Sequence, residues 1–194
     1  MDDNKKRCPW PGKDPLYVKY HDEDWGVAVY DDQELFAKLI LDGAQAGLSW
    51  ITILKKRDNY YQAFDQFDPV KIASYGQKKI DRLLANPGIV RNKLKVNAAV
   101  TNARSYLEIL DRGESFTNYL WKFVDRKPIV NHWKTIESAP TSTKESDAMS
   151  KALKKDGFKF VGTTIVYAFM QAVGMVNDHL VDCFRHQEVL ASYK

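Results

Sequence analysis

Four side chains that can bind a metal lie in two short segments at opposite ends of the chain. Cys8 and His21 stand near the N-terminus, and His179 and Cys183 stand near the C-terminus. Two thiolates and two imidazoles form the tetrahedral ligand set that a structural zinc ion prefers. Because His179 and Cys183 are four residues apart, we expect them to lie on one face of a helix.

Other interpretations of these four residues remain open from the sequence. A disulfide between Cys8 and Cys183, two unrelated buried thiols, or histidines that only complete hydrogen bonds would give the same pattern. The sequence lacks the closely spaced cysteine pair that identifies many zinc fingers. The residues alone therefore allow a metal site without establishing it.

A second candidate site consists of aromatic rings and one acid. The rings are Trp10, Tyr17, Tyr20, Trp25 and Trp50. Large aromatic residues are most often packed in a core. In the segment DPLYVKYHDEDWG, however, charged residues separate the rings, which is typical of a half-open cavity. Asp42 interrupts an apolar helical pattern, where a carboxylate must be paired, hydrogen-bonded or functional. Rings beside a carboxylate suit a planar cation, which gains cation-π contacts and donates an N–H to the acid.

A third feature is a basic turn between two helical patterns in the region 143–173. Lysines 151, 154, 155 and 159 surround a turn bounded by Gly157 and Gly162, and an apolar helix begins at Thr163. This pattern predicts a helix-hairpin-helix that binds phosphate through the free amides of the second helix and through Lys159. An ordinary helix connection with solvated lysines is the alternative interpretation.

The composition limits the class of protein. A length of 194 residues fits one domain, which we expect to span residues 1–194. Apolar residues make up 44% of the chain, yet no apolar run is long enough to suggest a membrane segment. The start MDDNKKRCPW lacks an apolar signal segment, so we expect a cytoplasmic protein, in which a disulfide is disfavoured. The net charge of +4 permits a nucleic-acid partner without requiring one.

Apolar residues at intervals of three and four predict an all-α fold. In the long run that begins at Asp32, Gly43 and Gly47 indicate a close approach or a break. Turn residues separate the elements, and Ser142 or Thr143 is a candidate N-cap. The further predicted helices cover residues 78–84, 92–110, 115–124, 143–155 and 163–173.

Several long segments together resemble a known family. They are DPLYVKYHDEDWGV, QAGLSWITILKKRDNY, FDPVKIA and PTSTKESDAMSKALKKDGFKFVGTTIVYAFMQAVGMVNDH, followed by Cys183. In these segments the chain resembles the DNA-3-methyladenine glycosylase I family of the helix-hairpin-helix glycosylase superfamily. The resemblance covers nearly the whole chain. It implies an all-helical glycosylase fold that acts, we expect as a monomer, on alkylated double-stranded DNA and releases free 3-methyladenine.

The resemblance also implies roles for particular residues. It implies one structural Zn²⁺ that joins the two ends of the chain through Cys8, His21, His179 and Cys183. It assigns the hairpin residues Lys159, Gly162 and Thr163 to DNA binding. The base pocket it implies consists of Trp10, Tyr17, Tyr20, Trp25, Asp42 and Trp50. Within that pocket Tyr20 and Asp42 are the catalytic candidates that hydrogen-bond the base, and Trp50 is a stacking face.

Two positions depart from the family pattern. Relatives carry glutamate where this chain has Asp42, so the shorter acid has a reach reduced by about one C–C bond, or about 1.5 Å. Relatives carry serine where this chain has Ala168, which removes a polar contact from the hairpin helix. Neither change removes the charge that a cationic base would meet.

The expected reaction is hydrolysis without strand cleavage, since no lysine nucleophile is apparent. Many superfamily members place a catalytic aspartate after the hairpin helix, but this family is described as working without it. We therefore favour Asp42 as the general base and expect Asp178 to cap the helix that carries His179. His132 and His186 are expected at the surface.

Two alternatives to this function remain. The chain can be a non-catalytic helix-hairpin-helix DNA-binding module in which Asp42 is only structural. It can also be an enzyme with a broader range that includes 3-methylguanine or 7-methylguanine. The sequence does not decide between these substrates.

Overall fold

A computed structural model describes residues 5–193, and helices account for most of its regular structure. The first four residues of the charged N-terminal segment, and Lys194 at the end of the expected domain, lie outside the described part. The α-helices are α1 Pro15–Glu23, α2 Asp32–Gln45, α3 Trp50–Leu54, α4 Arg57–Ala63, α5 Pro69–Ala73, α6 Gln77–Ala85, α7 Lys93–Asp111, α8 Phe116–Trp121, α9 Lys144–Lys155, α10 Thr163–Ala172 and α11 Phe184–Ser192. Short 3-10 helices cover Asp65–Phe67, Lys122–Val124 and Ile136–Ser138, and two strands cover Ile129–Val130 (β1) and Val176–Asn177 (β2).

Local capping explains why the periodic segments become helices where the sequence predicts them. Asn92 is the N-cap of α7, and its side chain accepts a hydrogen bond from the Lys95 amide at 3.1 Å. Thr143 begins α9 in a reciprocal capping box with Ser146. Such caps satisfy amides that a helix start leaves without partners. The predicted helices match α6, α7, α9 and α10 to within one residue at each end.

The long helical run from Asp32 is broken, as its glycines indicate. Gly47 has φ +76°, a left-handed conformation that ends the α2 region. The Lys95 ammonium donates hydrogen bonds to the carbonyls of Ala44 and Ala46 at 2.8 and 2.6 Å and holds this break in place. As a result Trp50 begins a separate helix, α3.

Helix α2 lies at the centre of the core. Its residues Leu35, Phe36, Ala37 and Leu39 are at most 1% exposed, and the helix packs against α7, α8 and α10. Full burial of one such large apolar side chain stabilises the fold by about 1.5–3 kcal/mol. A carboxylate on this central helix is therefore held in a rigid and apolar environment.

The C-terminal region differs from its prediction in two respects. His179 and Cys183 lie in the loop between β2 and α11, not on one helix, because Cys183 has extended backbone angles and N-caps α11. His186 is wrongly predicted at the surface: it is 1% exposed, and its Nε2 lies 2.8 Å from the Asn131 carbonyl oxygen. His132 is exposed, as expected. Strands β1 and β2 pair in parallel, which places residue 131 beside this loop.

Within residues 5–193, every helix is too short or too polar to cross a membrane.

Candidate active site and metal centre

The four predicted metal ligands lie together in the structure, and all four are buried. Their ligand atoms lie within 4.8 Å of one another. Cys183 Sγ is 3.5 Å from His21 Nε2 and 3.6 Å from His179 Nδ1, and Cys8 Sγ is 3.7 Å from His179 Nδ1. Tetrahedral zinc with its usual bond lengths separates sulfur from nitrogen by about 3.6 Å. The cluster therefore has the dimensions of a metal centre.

The other nitrogen of each histidine is held by a hydrogen bond. His21 Nδ1 lies 2.7 Å from the Asp22 carboxylate, which also accepts hydrogen bonds from Arg7. His179 Nε2 lies 3.0 Å from the Trp25 carbonyl oxygen. If these nitrogens carry the protons, His21 Nε2 and His179 Nδ1 present lone pairs to the centre of the cluster. Such outer contacts orient metal ligands in proteins.

The two cysteines are free thiols, so the disulfide interpretation is not realised here. A hydrogen bond between the sulfurs lowers the pKa of Cys183 and raises the pKa of Cys8, and His179 and His21 lower the Cys183 pKa further. These contacts favour the thiolate form of Cys183, which is the form that binds metals.

A cavity of about 260 Å³ adjoins this cluster, and we call it the front cavity. All six residues expected to bind the base line it: Trp10, Tyr17, Tyr20, Trp25, Asp42 and Trp50. Further lining residues include Cys8, Gln45, Ile136, Ala139, Ala168, Gln171, Ala172, Asp178 and Leu180. Its volume suits a small planar ligand.

The aromatic rings form the walls of the front cavity. Trp10 meets Tyr17 and Trp25 edge to face, with ring centroids 5.0 and 5.1 Å apart, and Tyr20 lies 5.3 Å from Trp50. The Trp25 ring also lies 4.6 Å from the imidazole of His179. The metal cluster and the cavity therefore share a wall, so an ion bound at the cluster would fix the positions of Trp10 and Trp25.

In the described part of the chain, Asp42 is one of two buried acids that line this cavity, and Asp178 is the other. Asp42 is 3% exposed, and within residues 5–193 its Oδ2 atom has no hydrogen-bond partner. Burial raises the pKa of the Asp42 carboxyl to about 8, while the charge of Lys38 acts in the opposite direction. An unpaired carboxyl at this depth gains strongly from a positively charged ligand.

Tyr20 is a second buried polar group beside Asp42. Burial, followed by the negative charges of Asp42 and Asp24, raises the pKa of its phenol well above the ordinary value. The hydroxyl therefore keeps its proton at physiological pH and can donate a hydrogen bond to a ligand in the cavity.

Asp178 does not cap a helix, which corrects the sequence-based expectation. Its carboxylate accepts four hydrogen bonds: from Asn131 at 2.7 Å, Trp133 at 2.8 Å, Tyr167 at 2.6 Å and Gln171 at 2.7 Å. Two of these donors lie on α10 and two lie more than forty residues away in the chain, so Asp178 joins the two segments. A carboxylate with four donors is poorly placed to take a proton from water.

The basic turn between α9 and α10 has the geometry of a close helix connection. Gly157 has φ +90°, and Asn102 holds the Lys159 backbone through bonds of 2.7 and 3.0 Å. The space around Gly162 is open, and no side chain caps α10. The Thr163 hydroxyl donates to the Asp147 carboxylate at 2.5 Å. The start of α10 thus has no side-chain cap and lies beside open space at Gly162, and the Asp147 carboxylate is held at Thr163.

A second cavity of about 440 Å³ also reaches Asp42, and we call it the rear cavity. Tyr20, Asp42, Trp50 and Ala172 line both cavities. The rear cavity has no signal in the sequence, because most of its charged residues are spread over α2 and α4 without a motif. The front cavity also contains residues that the sequence did not predict. Gln45 could have been predicted because it adjoins the AGLSW segment, whereas no sequence pattern marks Ile136 or Leu180.

Known proteins resemble this chain in both sequence and fold. A family model described as methyladenine glycosylase matches residues 10–186. The chain is 53% identical over 178 residues to DNA-3-methyladenine glycosylase 1 of Escherichia coli, covering 92% of this chain and 95% of that protein. A crystal structure of a 3-methyladenine DNA glycosylase I is 52% identical, with a TM-score of 0.91 and coverage of 92% and 98%. A structure concerning 3-methyladenine recognition by the Staphylococcus aureus enzyme is 40% identical, with a TM-score of 0.89 and coverage of 92% and 95%.

A helical fold that surrounds a ring-walled cavity with a buried carboxyl lacking a hydrogen-bond partner on one oxygen defines a class of protein suited to a planar cationic molecule. The match of the family model and the identity to the E. coli protein make the assignment specific: the chain belongs to the methyladenine glycosylase family.

Proposed function

We infer that this protein is a DNA-3-methyladenine glycosylase, an enzyme that hydrolyses the N-glycosidic bond of 3-methyladenine in alkylated DNA. The observation that carries the inference is the buried Asp42 carboxyl, whose Oδ2 has no partner in residues 5–193, inside a cavity walled by aromatic rings. The family assignment and the relatives named as 3-methyladenine glycosylases support the same activity.

The charge of the damaged base explains how such a cavity would select it. Alkylation at N3 gives adenine a positive charge, whereas undamaged adenine is neutral. The cation gains from the faces of the rings and from the Asp42 carboxylate, and both contributions are weaker for a neutral base. A damaged base also costs less to extrude from the duplex, so the two effects favour the same substrate.

Each group in the front cavity has a proposed role. Asp42 accepts an N–H of the base directly or through one water molecule, since its side chain is short. The Tyr20 hydroxyl donates a hydrogen bond to a ring nitrogen, and Trp50 stacks on the ring. Trp10, Tyr17 and Trp25 complete the walls. Ala168 presents only a methyl group, so α10 supplies no side-chain hydroxyl at this position.

The positive charge also determines the chemistry. The C1′–N9 bond breaks with its electron pair moving to the cationic base, which leaves as a neutral molecule and needs no protonation. A water oxygen forms the new bond to C1′, and its proton passes to Asp42 or to solvent. Asp178 is the less suitable acceptor because four donors already occupy its oxygens. Without a lysine nucleophile the product is an abasic site in an intact strand.

The remaining proposals concern the metal and the partners. We propose that Cys8, His21, His179 and Cys183 bind one structural Zn²⁺, since the ligand set is closed and leaves no position for a reacting water. We further propose that the chain forms one domain and acts as a cytoplasmic monomer on double-stranded alkylated DNA.

The activity is tested by incubating the protein with methylated DNA and measuring released bases by chromatography. We expect 3-methyladenine to be released by the natural protein, and no protein-DNA crosslink to form with borohydride. Released 3-methylguanine and 7-methylguanine, measured in the same samples, define the range of substrates. If only Asp42→Glu released 3-methyladenine, the natural chain would be a DNA-binding protein that has lost the enzymatic activity.

The DNA interface is proposed to be a helix-hairpin-helix formed by α9, the turn and α10. Backbone amides at Gly162 and Thr163 would bind a phosphate, and Lys159 would add charge. We expect Lys159→Ala to weaken binding equally for DNAs of different sequence and to reduce the slope of log affinity against log salt by about one.

The matched control for this DNA-binding experiment is Lys71→Ala, which removes an exposed charge from α5, where Lys71 lies 3.6 Å from Asp68. Fluorescence anisotropy at several salt concentrations gives both slopes. An unchanged slope for Lys159→Ala would exclude Lys159 from the phosphate contact.

A further inference from the structure

Two side chains on one face of helix α7 hold two separate parts of the molecule. Lys95 and Asn102 are seven residues apart, so they lie on the same side of α7 with a rise of about 10 Å between them. The Lys95 ammonium donates hydrogen bonds to the carbonyls of Ala44 and Ala46 at 2.8 and 2.6 Å. Asn102 accepts a hydrogen bond from the Lys159 amide at 2.7 Å and donates one to the Lys159 carbonyl at 3.0 Å. Lys95 thus contacts the end of α2, and Asn102 contacts the turn before α10.

The hydrogen bonds from Lys95 hold the segment that lies between two groups of the front cavity. Residues 46–49 form this segment, which we call the cavity loop. Asp42 lies shortly before it and Trp50 directly after it, and both line the front cavity. Gly47 is left-handed, so the regular hydrogen bonds of α2 stop here. Within residues 5–193, the hydrogen bonds that join this loop to a helix distant in the chain come from Lys95.

The end of α2 also meets the hairpin turn directly. A Cβ atom on Gly43 would lie only 3.2 Å from the Cβ atom of Phe160, so the absence of a side chain at Gly43 lets the two elements approach. Gly43, Ala44, Lys95, Asn102 and Phe160 all line one small cavity of about 20 Å³. The end of α2, one face of α7 and the hairpin turn are therefore packed around a common point.

We propose that Lys95 is a positioning residue that fixes the cavity loop relative to the DNA-binding hairpin, so that a nucleotide whose phosphate is bound at the hairpin delivers its base to the front cavity. This inference rests on the proposed function, because it assigns the hairpin to DNA and the front cavity to the base. Two sites that bind one substrate must keep a matching separation, and a misplacement of about 1 Å can cost two orders of magnitude in rate. Lys95 acts on this separation through the backbone of the loop.

Each of the two sites has anchors that do not depend on Lys95. Asp42 is 3% exposed on the central helix of the core. Trp50 belongs to α3, whose residue Ile53 is fully buried. The hairpin turn keeps its two hydrogen bonds to Asn102. Loss of the Lys95 ammonium should therefore leave both sites intact and loosen the connection between them.

The test compares three measurements on Lys95→Met, which removes the ammonium and keeps an unbranched side chain. Single-turnover release of 3-methyladenine from methylated duplex DNA is expected to fall by roughly tenfold or more. Calorimetry with free 3-methyladenine and fluorescence anisotropy with undamaged duplex DNA should each show a change in affinity of less than about threefold, because the groups of each site stay in place. Lys95→Arg is expected to restore most of the release, since a guanidinium can also donate to two carbonyl oxygens.

The matched control is Lys79→Met, which removes another half-buried lysine. Its ammonium lies 2.9 Å from Asp65, away from the cavity loop. We expect it to lower stability without lowering release. Unchanged release in Lys95→Met would overturn the proposal. A fall in the affinity for free 3-methyladenine equal to the fall in release would overturn it as well, because Lys95 would then act on the front cavity alone. An equal fall in the affinity for undamaged DNA, beyond that of Lys79→Met, would replace it by a direct phosphate contact.

Hydrogen–deuterium exchange distinguishes this proposal from the proposed function, because it needs no substrate. The Leu48 amide donates to the Gln45 carbonyl at 2.6 Å at the cavity loop, and we expect it to exchange faster in Lys95→Met. The Lys159 amide, which Asn102 holds, should keep its rate. If the natural protein released no base, the enzymatic function would fail, and exchange at Leu48 would still decide whether Lys95 holds the loop. If release occurred and exchange at Leu48 did not change, only the role of Lys95 would be rejected.

Discussion

Asp42→Asn is expected to lower the release of 3-methyladenine at least a hundredfold and to increase the stability of the protein. Loss of the charge removes the preferential interaction with a cationic base, and removal of one buried electrostatic group from an active site commonly costs two to three orders of magnitude in rate. Burial raises the pKa of Asp42 to about 8 from its ordinary value of 3.8. Ionisation of this acid is therefore unfavourable in the folded state.

The sign of the effect of pH on stability follows from that shift. Below about pH 4 the carboxyl is neutral in both the folded and the unfolded states, and Asp42 has no cost. Between about pH 4 and pH 8 only the unfolded state ionises, so the folded protein loses roughly 1.4 kcal/mol per pH unit relative to the variant. At pH 7 the difference approaches about 4 kcal/mol, a large part of the stability of a typical domain.

Urea unfolding at several pH values between 4 and 8 measures this difference. The free-energy gap between Asp42→Asn and the natural protein is expected to widen with pH, and parallel curves would contradict the argument. Asp178→Asn is the matched control, since it changes another buried acid of the front cavity. Because the Asp178 carboxylate accepts four hydrogen bonds, its loss should destabilise the protein by about 2 kcal/mol or more.

The contrast between these two acids shows what the sequence can predict and what it cannot. Asp42 is recognisable because it interrupts an apolar helical pattern whose period is local. Asp178 has no such signal, since its donors Asn131 and Trp133 come from a segment more than forty residues away. The local pattern therefore identified Asp42, whereas only the fold shows that Asp178 is held by four hydrogen bonds.

The same distinction applies to the secondary structure. Helices with regular apolar spacing and caps, such as α7 and α9, were predicted to within a residue or two, because both signals act over a few residues. Helix α11 was missed, and His186 on it was wrongly placed at the surface. Its burial depends on packing beside the β1–β2 pair, where its ring lies 2.8 Å from the Asn131 carbonyl oxygen.

The metal cluster was only partly predictable from the sequence. The ligand types were evident from the sequence, but residue spacing left a disulfide and isolated thiols open. The expected helical spacing of His179 and Cys183 was wrong, because a loop places both residues at the cluster. Chemistry thus predicted the ligand set better than secondary structure did.

Removal of the metal is expected to destabilise the protein by several kcal/mol. An ion at the cluster would connect the N-terminal segment at Cys8 and helix α1 at His21 to the loop before α11. Structural zinc sites contribute about 10–16 kcal/mol of binding free energy in small zinc domains, and much of that energy acts as folding energy. Here a large apolar core supplies the remaining stability, so the fold should weaken without being lost.

Metal analysis and calorimetry check this expectation. We expect about one zinc per chain, and a lower melting temperature after chelation or in Cys8→Ala. His186→Ala is the matched control, because it changes a buried histidine outside the cluster and should leave the metal content unchanged. Far less than one metal per chain in the natural protein would contradict the proposed metal site. A melting temperature that does not respond to chelation would contradict it as well.

Replacement of zinc by Co²⁺ distinguishes a structural from a catalytic metal. Four protein ligands close the tetrahedral site, so the release of 3-methyladenine should change by less than about twofold although the metal differs. The visible absorption of tetrahedral Co²⁺ with sulfur and nitrogen ligands confirms that the exchange has occurred. A large change in release with an unchanged melting temperature would instead indicate that the metal takes part in the reaction. The expected result follows from the shared wall: a metal bound at the cluster would position Trp10 and Trp25, whereas the proposed mechanism assigns the response to the charge of the base to Asp42.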